Sequence, residues 1–246
     1  MPTDPAVPGV GDALRFGLAA VRARPGATAG LFAVPVALLI AATAAISLPV
    51  VAATVDLLRA QARAQAAAAR VGGAFVGTGW AITPGALGAL LAAVAALQVV
   101  TVLLQVLGAR FGLALVDGRH PGARQLWTPR GLGRPLATAV LLAVLTALGT
   151  LLLSVPGLVV ALLGQYAVLL SVDRGFGPVT ALRESARLAG RHPGTTVLLA
   201  LAVALIGAAG WLVCAVGLVL AYPVGCATTA WLCRRLDGLP ARPADR

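Results

Sequence analysis

Apolar residues fall into four long stretches free of Asp, Glu, Arg and His, at positions 25–55, 71–109, 135–172 and 193–233, with nearly all charge in the short segments between them. A helix needs about 20 apolar residues to cross the hydrocarbon core. The first stretch holds one span, 27–46, extendable to position 55. The second opens on the glycine-rich VGGAFVGTGW, read as a loop, so its span runs from Pro84 to Leu107. The third and fourth are near twice single-span length, and each is interrupted, at Ser154-Val155-Pro156-Gly157 and at Cys214-Ala215-Val216-Gly217. Each reads as a hairpin of two helices. The pattern predicts an all-α polytopic membrane bundle of about six spans. The fourth, 157–172, is short for a bilayer, and five spans with one re-entrant segment is the alternative.

Two landmarks recur, each three times. A cation, a proline, two residues and a threonine precede a span at Arg24-Pro25-Gly26-Ala27-Thr28, Arg134-Pro135-Leu136-Ala137-Thr138 and His192-Pro193-Gly194-Thr195-Thr196. Proline fits the first turn of a helix and disfavours helix in the residue before it, so the motif separates a short helix from the following span. The hairpins end alike, at Val116-Asp117-Gly118, Val172-Asp173-Arg174 and Leu236-Asp237-Gly238. These landmarks predict one membrane domain of three repeats, each a short helix followed by a helical hairpin. The first unit is 1–116 with an insertion at 56–83, the second 117–172, the third 173–237, and 238–246 forms a tail. The Ala-rich insertion DLLRAQARAQAAAARVGG reads as a helical extension of the first span.

The short helices look amphipathic. In 178–189, Val179, Leu182 and Ala186 share one face and Arg183 and Arg187 another, with Pro178 at the first helical position and Gly190 expected just past the end. Near the N-terminus, Leu14, Leu18 and Val21 share a face, with Arg15 and Arg22 seven apart. Both helices are expected to lie at the inner leaflet, where Arg15, Arg22, Arg183 and Arg187 would meet anionic lipid.

Composition agrees. Hydrophobic residues make up 59% of 246 and charged residues 11%, far below the ~25% of a soluble domain. All 19 basic residues are arginine, and the net charge is +11. Those arginines flank apolar runs and aromatics are only 4%, so nucleic acid is excluded as a partner. With six spans, 16 arginines fall on one side and Arg59, Arg63 and Arg70 on the other. The positive-inside rule then places both termini in the cytoplasm, in a bacterial inner membrane. The run 27–46 is too long and too far from the start for a cleaved signal peptide.

Candidate chemistry is thin. No span holds an ionisable side chain in its middle. Gln98, Thr101 and Gln105 share a face of the second span, and Gln165 and Tyr166 lie in the fourth. They either line a path or form interhelical hydrogen bonds. Gly157, Ala161 and Gln165, and likewise Ala200, Ala204 and Ala208, are spaced by four and are expected at close helix contacts. Cys214, Cys226 and Cys233 form no CxxC pair and read as packing residues. No cofactor, metal site or catalytic residue is predicted. An embedded enzyme would require a converging carboxylate pair, such as Asp117 with Asp173.

The stretch VDRGFGPVTALRESARLAGRHPG carries Ala181, Leu182, Ser185 and Leu188, then Gly190, ahead of a span. This Ala-Leu-x-x-Ser-x-x-Leu pattern resembles bacterial multi-span proteins related to the membrane domain of glycerophosphoryl diester phosphodiesterases. The resemblance implies a six-span integral membrane protein without the hydrolase, which in such proteins is a separate domain. The expected role is a non-enzymatic membrane accessory or scaffold, its protein partner undetermined. The alternative is a transporter or export component for a small or lipid-like solute.

Overall fold

The computed structural model describes residues 9–23, 25–71, 84–119, 122–126, 128, 131–152, 154–212 and 216–239. Among the described residues the regular structure is all α-helix: α1 (Val10–Arg22), α2 (Pro25–Val71), α3 (Pro84–Val116), α4 (Ala123–Leu126), α5 (Gly133–Leu152), α6 (Ser154–Gly164), α7 (Ala167–Arg174), α8 (Pro178–Arg191), α9 (Pro193–Leu212) and α10 (Val216–Leu236). The prolines of the repeated motif stand at or near the first position of α2, α5 and α9, where a missing N–H costs nothing. Five segments are long and apolar enough to cross a membrane: Thr28–Arg70, Val94–Val116, Gly133–Thr150, Val155–Arg174 and Pro193–Leu212. α10, the sixth expected span, is 21 residues long, contains Pro223, carries Arg234 and Arg235 in its last turn, and is not among those five.

The chain divides into two compact units, Ala37–Val100 and the remainder. In the smaller, α2 continues unbroken to Val71, as the Ala-rich pattern predicts. Its part from Ala37 to Val71 rises about 50 Å, more than the ~30 Å hydrocarbon thickness. Asp56 and Arg59 pair at 3.3 Å along it. The glycine-rich segment 72–80 lies outside the described residues.

In the larger unit, hairpins are built on small residues. α5 doubles back into α6 with Gly149 against Gly157, where a Cβ on Gly149 would stand 2.9 Å from the Gly157 Cα. α9 and α10 close the same way, with Gly210 against Leu218. Phe32 of α2 packs edge-on to Phe111 of α3 at 5.0 Å and tilted against Tyr222 of α10 at 5.6 Å. Gly108 and Gly112 bring α3 onto α10, for a Cβ on Gly112 would fall 2.5 Å from the Cys226 carbonyl oxygen. Lipid tails are as apolar as leucine, so such close packing, more than burial, joins helices in a membrane. On the outside, Val140, Val144 and Leu148 of α5 and Leu198, Leu201 and Leu205 of α9 are exposed. An apolar surface of that extent fits a lipid environment.

Several expectations are corrected. The fourth span is not one helix; it breaks at Gln165–Tyr166 between α6 and α7. α8 buries Ala181, Ser185, Leu188 and Ala189, while Val179, on the face expected at the leaflet, is 74% exposed. α1 likewise buries Val10, Ala13, Phe16, Gly17 and Val21, leaving Leu18 exposed. Both helices therefore pack on the bundle through a mixture of small and large residues, Ala13, Phe16 and Gly17 in α1 and Ala181, Ser185 and Leu188 in α8. Gly190 lies inside α8, which runs on to Arg191. Ala204 and Ala208 are exposed, so the α9 alanine stripe makes no close helix contact at those two positions; Gly108 and Gly112 make one on α3.

Candidate functional site at the polar pole

The three terminal aspartates are placed by their helix ends. α3 and α10 end identically: Gly118 and Gly238 take φ of 76° and 71°, which a side chain would resist. The next residue's N–H then reaches back to an orphan carbonyl, Arg119 to Ala114 and Leu239 to Arg234, both at 2.8 Å. α7 ends on Gly175 at φ 66°. These endings bring Asp117, Asp173 and the Arg234 side chain together at one pole.

Arg234 occupies the space between the two carboxylates. Its Nη1 meets Asp117 Oδ1, while Nη2 and Nε engage Asp173 Oδ1 and Oδ2 at 2.5 and 3.2 Å. Asp117 Oδ2 also accepts from Arg119 at 2.6 Å. Arg174 pairs with Asp237. Arg134 donates to the Gly175 carbonyl at 2.8 Å, tying the start of α5 to the end of α7. Asp117 and Asp173 thus do converge, but on a guanidinium. Among the described residues, no group of three or more His, Cys, Asp or Glu could hold a metal.

Two of these carboxyls are shifted in opposite directions. Burial pushes Asp117 up, but the hydrogen bonds and charges of Arg119 and Arg234 outweigh it and hold the carboxyl below its ordinary value. Asp237 lies above its ordinary value, because desolvation, with Asp173 and Glu184 nearby, outweighs Arg174.

Deeper in the bundle, the α6–α7 break is sealed by α8. Ser185, fully buried, donates its hydroxyl proton to the Leu163 carbonyl at 2.5 Å and accepts the Tyr166 N–H at 3.2 Å. One side chain satisfies two backbone groups that the break would otherwise orphan. Ala181, Ser185 and Leu188, three residues of the resemblance pattern, lie on this seated face. The motif threonines Thr28, Thr138 and Thr196 are all buried. Thr138 donates to Ser171 at 3.2 Å, and Thr196 lies 3.4 Å from the Tyr166 hydroxyl. Their burial was not foreseen, although the repeated spacing was the available signal.

The expected polar cluster is divided. Gln165 donates to the Thr196 carbonyl at 3.4 Å, so Gln165 and Tyr166 are joined to α8 and α9. Thr101 and Gln105 are half-buried on α3, and Gln105 Oε1 is buried with no hydrogen-bond partner among the described residues. Gln98 belongs to the smaller compact unit. Arg15, Arg22, Arg183 and Arg187 are exposed; Arg187 also pairs with Glu184 at 2.7 Å. Cys226 packs against α3 and Cys233 is buried, as expected of packing residues, while Cys214 and His120 lie outside the described residues.

No known protein-family profile matches the chain, and no solved structure matches it. It is similar to the uncharacterized protein Mb2590 of Mycobacterium bovis, at 33% identity over 126 residues, covering 51% of this chain and 39% of that protein. The uncharacterized protein Rv2560 of Mycobacterium tuberculosis is 32% identical over the same shares. The match thus spans about two-fifths of the length of these relatives.

Proposed function

We propose that the protein is a multi-pass component of the bacterial cytoplasmic membrane, crossing six times with both termini inside. In this reading it is a non-enzymatic accessory or scaffold whose basic face engages anionic phospholipid. The observation that carries it is the Arg234 guanidinium wedged between Asp117 and Asp173: the carboxylates best placed for chemistry are spent holding helix ends together. The shared direction of those ends supports an even number of crossings. The exposure of the arginines on α1 and α8 supports contact with lipid phosphate, each worth about 1 kcal/mol near a charged leaflet. The likeness of α8 to segments of other multi-span proteins fits the same role.

The test is thermal unfolding of the purified chain in mild detergent with added lipid. Phosphatidylglycerol or cardiolipin should raise the midpoint more than phosphatidylcholine. Replacing Arg15, Arg22, Arg183 and Arg187 together by Gln should abolish that difference. An equal response to both lipid classes refutes the lipid-engaging role. One observation favours transport instead: the Gln105 carbonyl, a buried acceptor without a partner among the described residues. Proteoliposome swelling in small neutral solutes, lost in Gln105→Leu, would establish that reading.

A further inference from the structure

The short helices are seated in a cyclic order. α4 follows the first hairpin and is held on its outgoing helix α3, because Arg110 donates to the carbonyls of Leu126 and Thr128, both at 2.9 Å. α8 follows the second hairpin and is held on the outgoing pair α6–α7 through Ser185. α1 precedes all three hairpins, yet it is seated on α10, the outgoing helix of the last. There Phe16 stacks on Trp231 at 6.1 Å, and a Cβ on Gly17 would lie 2.9 Å from the Val224 carbonyl oxygen.

The positions correspond. Gly17 and Ser185 each stand eight residues before the motif proline, Pro25 or Pro193. Ala13 and Ala181, one turn earlier, are both fully buried. Arg110 and Tyr166 each stand seven residues before the terminal aspartate of their hairpin, and each meets the short helix that follows. Chance likeness among Ala- and Leu-rich segments gives no reason for equivalent positions to make equivalent contacts.

The pole breaks this equivalence in one respect. Three residues before the terminal aspartate stand Ala114, Leu170 and Arg234, so only the third hairpin carries a cation there. That cation reaches the aspartates of both other hairpins.

We infer that the larger compact unit is built from three related helical units closed head to tail, with α1 completing the cycle on α10, and that Arg234 is the latch joining all three outgoing helices at one pole. The N-terminal helix is then the closing piece of the cycle and not a membrane-surface appendage. The latch is a conformational device: releasing one side chain frees three helix ends together, whereas an ordinary surface ion pair would free two.

Hydrogen exchange on the full chain in detergent tests this. In Arg234→Gln, exchange should rise about tenfold or more at the ends of α3, α7 and α10 together, as expected when a charge-assisted network is lost. Arg234→Lys keeps the charge but not the forked geometry, so it should fold and show a smaller rise at the same three ends. A rise confined to residues near 234–239 in either variant overturns the latch. The cycle is tested separately by Gly17→Leu, which should raise exchange along α1 and along α10 near Val224–Trp231. If only α1 responds, α1 is an appendage and the closed cycle is wrong. Neither readout depends on lipid binding or transport.

Discussion

Ser185→Ala removes one oxygen from the junction of α6, α7 and α8, and the consequence can be bounded. The wild-type hydroxyl serves the Leu163 carbonyl and the Tyr166 N–H, in a region where Ser185 and Tyr166 have no exposed surface. Alanine is nearly isosteric, so little cavity forms and the loss is almost purely polar. Leaving a buried donor or acceptor unpaired costs about 1–3 kcal/mol each, which gives roughly 2–6 kcal/mol if the break keeps its shape. Interhelical hydrogen bonds within membranes average only about 0.6 kcal/mol, with a maximum near 1.7, because the separated helices find other partners. Here an alternative partner exists: the segment from α6 through α7 could straighten into one continuous helix and satisfy its own backbone. Straightening would unseat α8, so it is opposed by the packing of Ala181, Leu188 and Ala189. The outcome should fall between these limits, near 2 kcal/mol, about a thirtyfold shift in the unfolding equilibrium. Reversible unfolding in mixed detergent reads the loss, and exchange at residues 163–167 should rise with it. Ser185→Thr, which retains the hydroxyl, should recover part of the stability. A loss below about 0.5 kcal/mol with unchanged exchange at 163–167 would show that the hydroxyl does not hold the break.

Four further outcomes follow from the packing and the pole. Gly149→Leu drives a side chain into the Gly157 backbone and should splay the α5–α6 hairpin, lowering the unfolding midpoint by several degrees, whereas the same change at Gly207, where a Cβ meets nothing within 4 Å, should be silent. Asp117 has a depressed carboxyl, so its stabilising contribution is complete above its unfolded value and disappears as pH falls through its lower folded value. Asp117→Asn should therefore lower the neutral-pH midpoint and flatten the acid limb of the stability profile. Asp237 has a raised carboxyl, so its charge opposes folding above its folded value and acid relieves that; Asp237→Asn should cost less at neutral pH than Asp117→Asn, and the reverse order would refute the assignment. A reporter fused after Arg246 should be active on the cytoplasmic side, and periplasmic activity would refute an even number of crossings.

Secondary structure and the turning-back of α5 into α6 were legible because their causes are local, although the segment 154–157, read as the break, forms the first turn of α6. Charge-free runs of span length, proline at helix starts and Asp-Gly at helix ends act through the chain's own backbone and through the solvent around it. The Ala-rich run announced the unbroken α2 for the same reason. The signal at Gly108 and Gly112 was equally visible, since small residues four apart permit close approach, but nothing local says which stripe of small residues meets a neighbour. Ala204 and Ala208 have the same spacing and face outward.

What the sequence by itself determined is that the chain is helical, apolar along most of its length, punctuated by a threefold pattern of Pro and Asp, and charged mainly between its spans. Only the tertiary structure decided which faces of α1 and α8 are buried, that Ser185 seals the α6–α7 break, and that Arg234 stands between Asp117 and Asp173. The reason is physical. In a lipid-like environment, an apolar face gains little by turning inward, so amphipathic periodicity does not select the packed face. Selection falls to small residues that admit a close neighbour and to polar groups that must find a partner, and both depend on what a distant part of the chain presents.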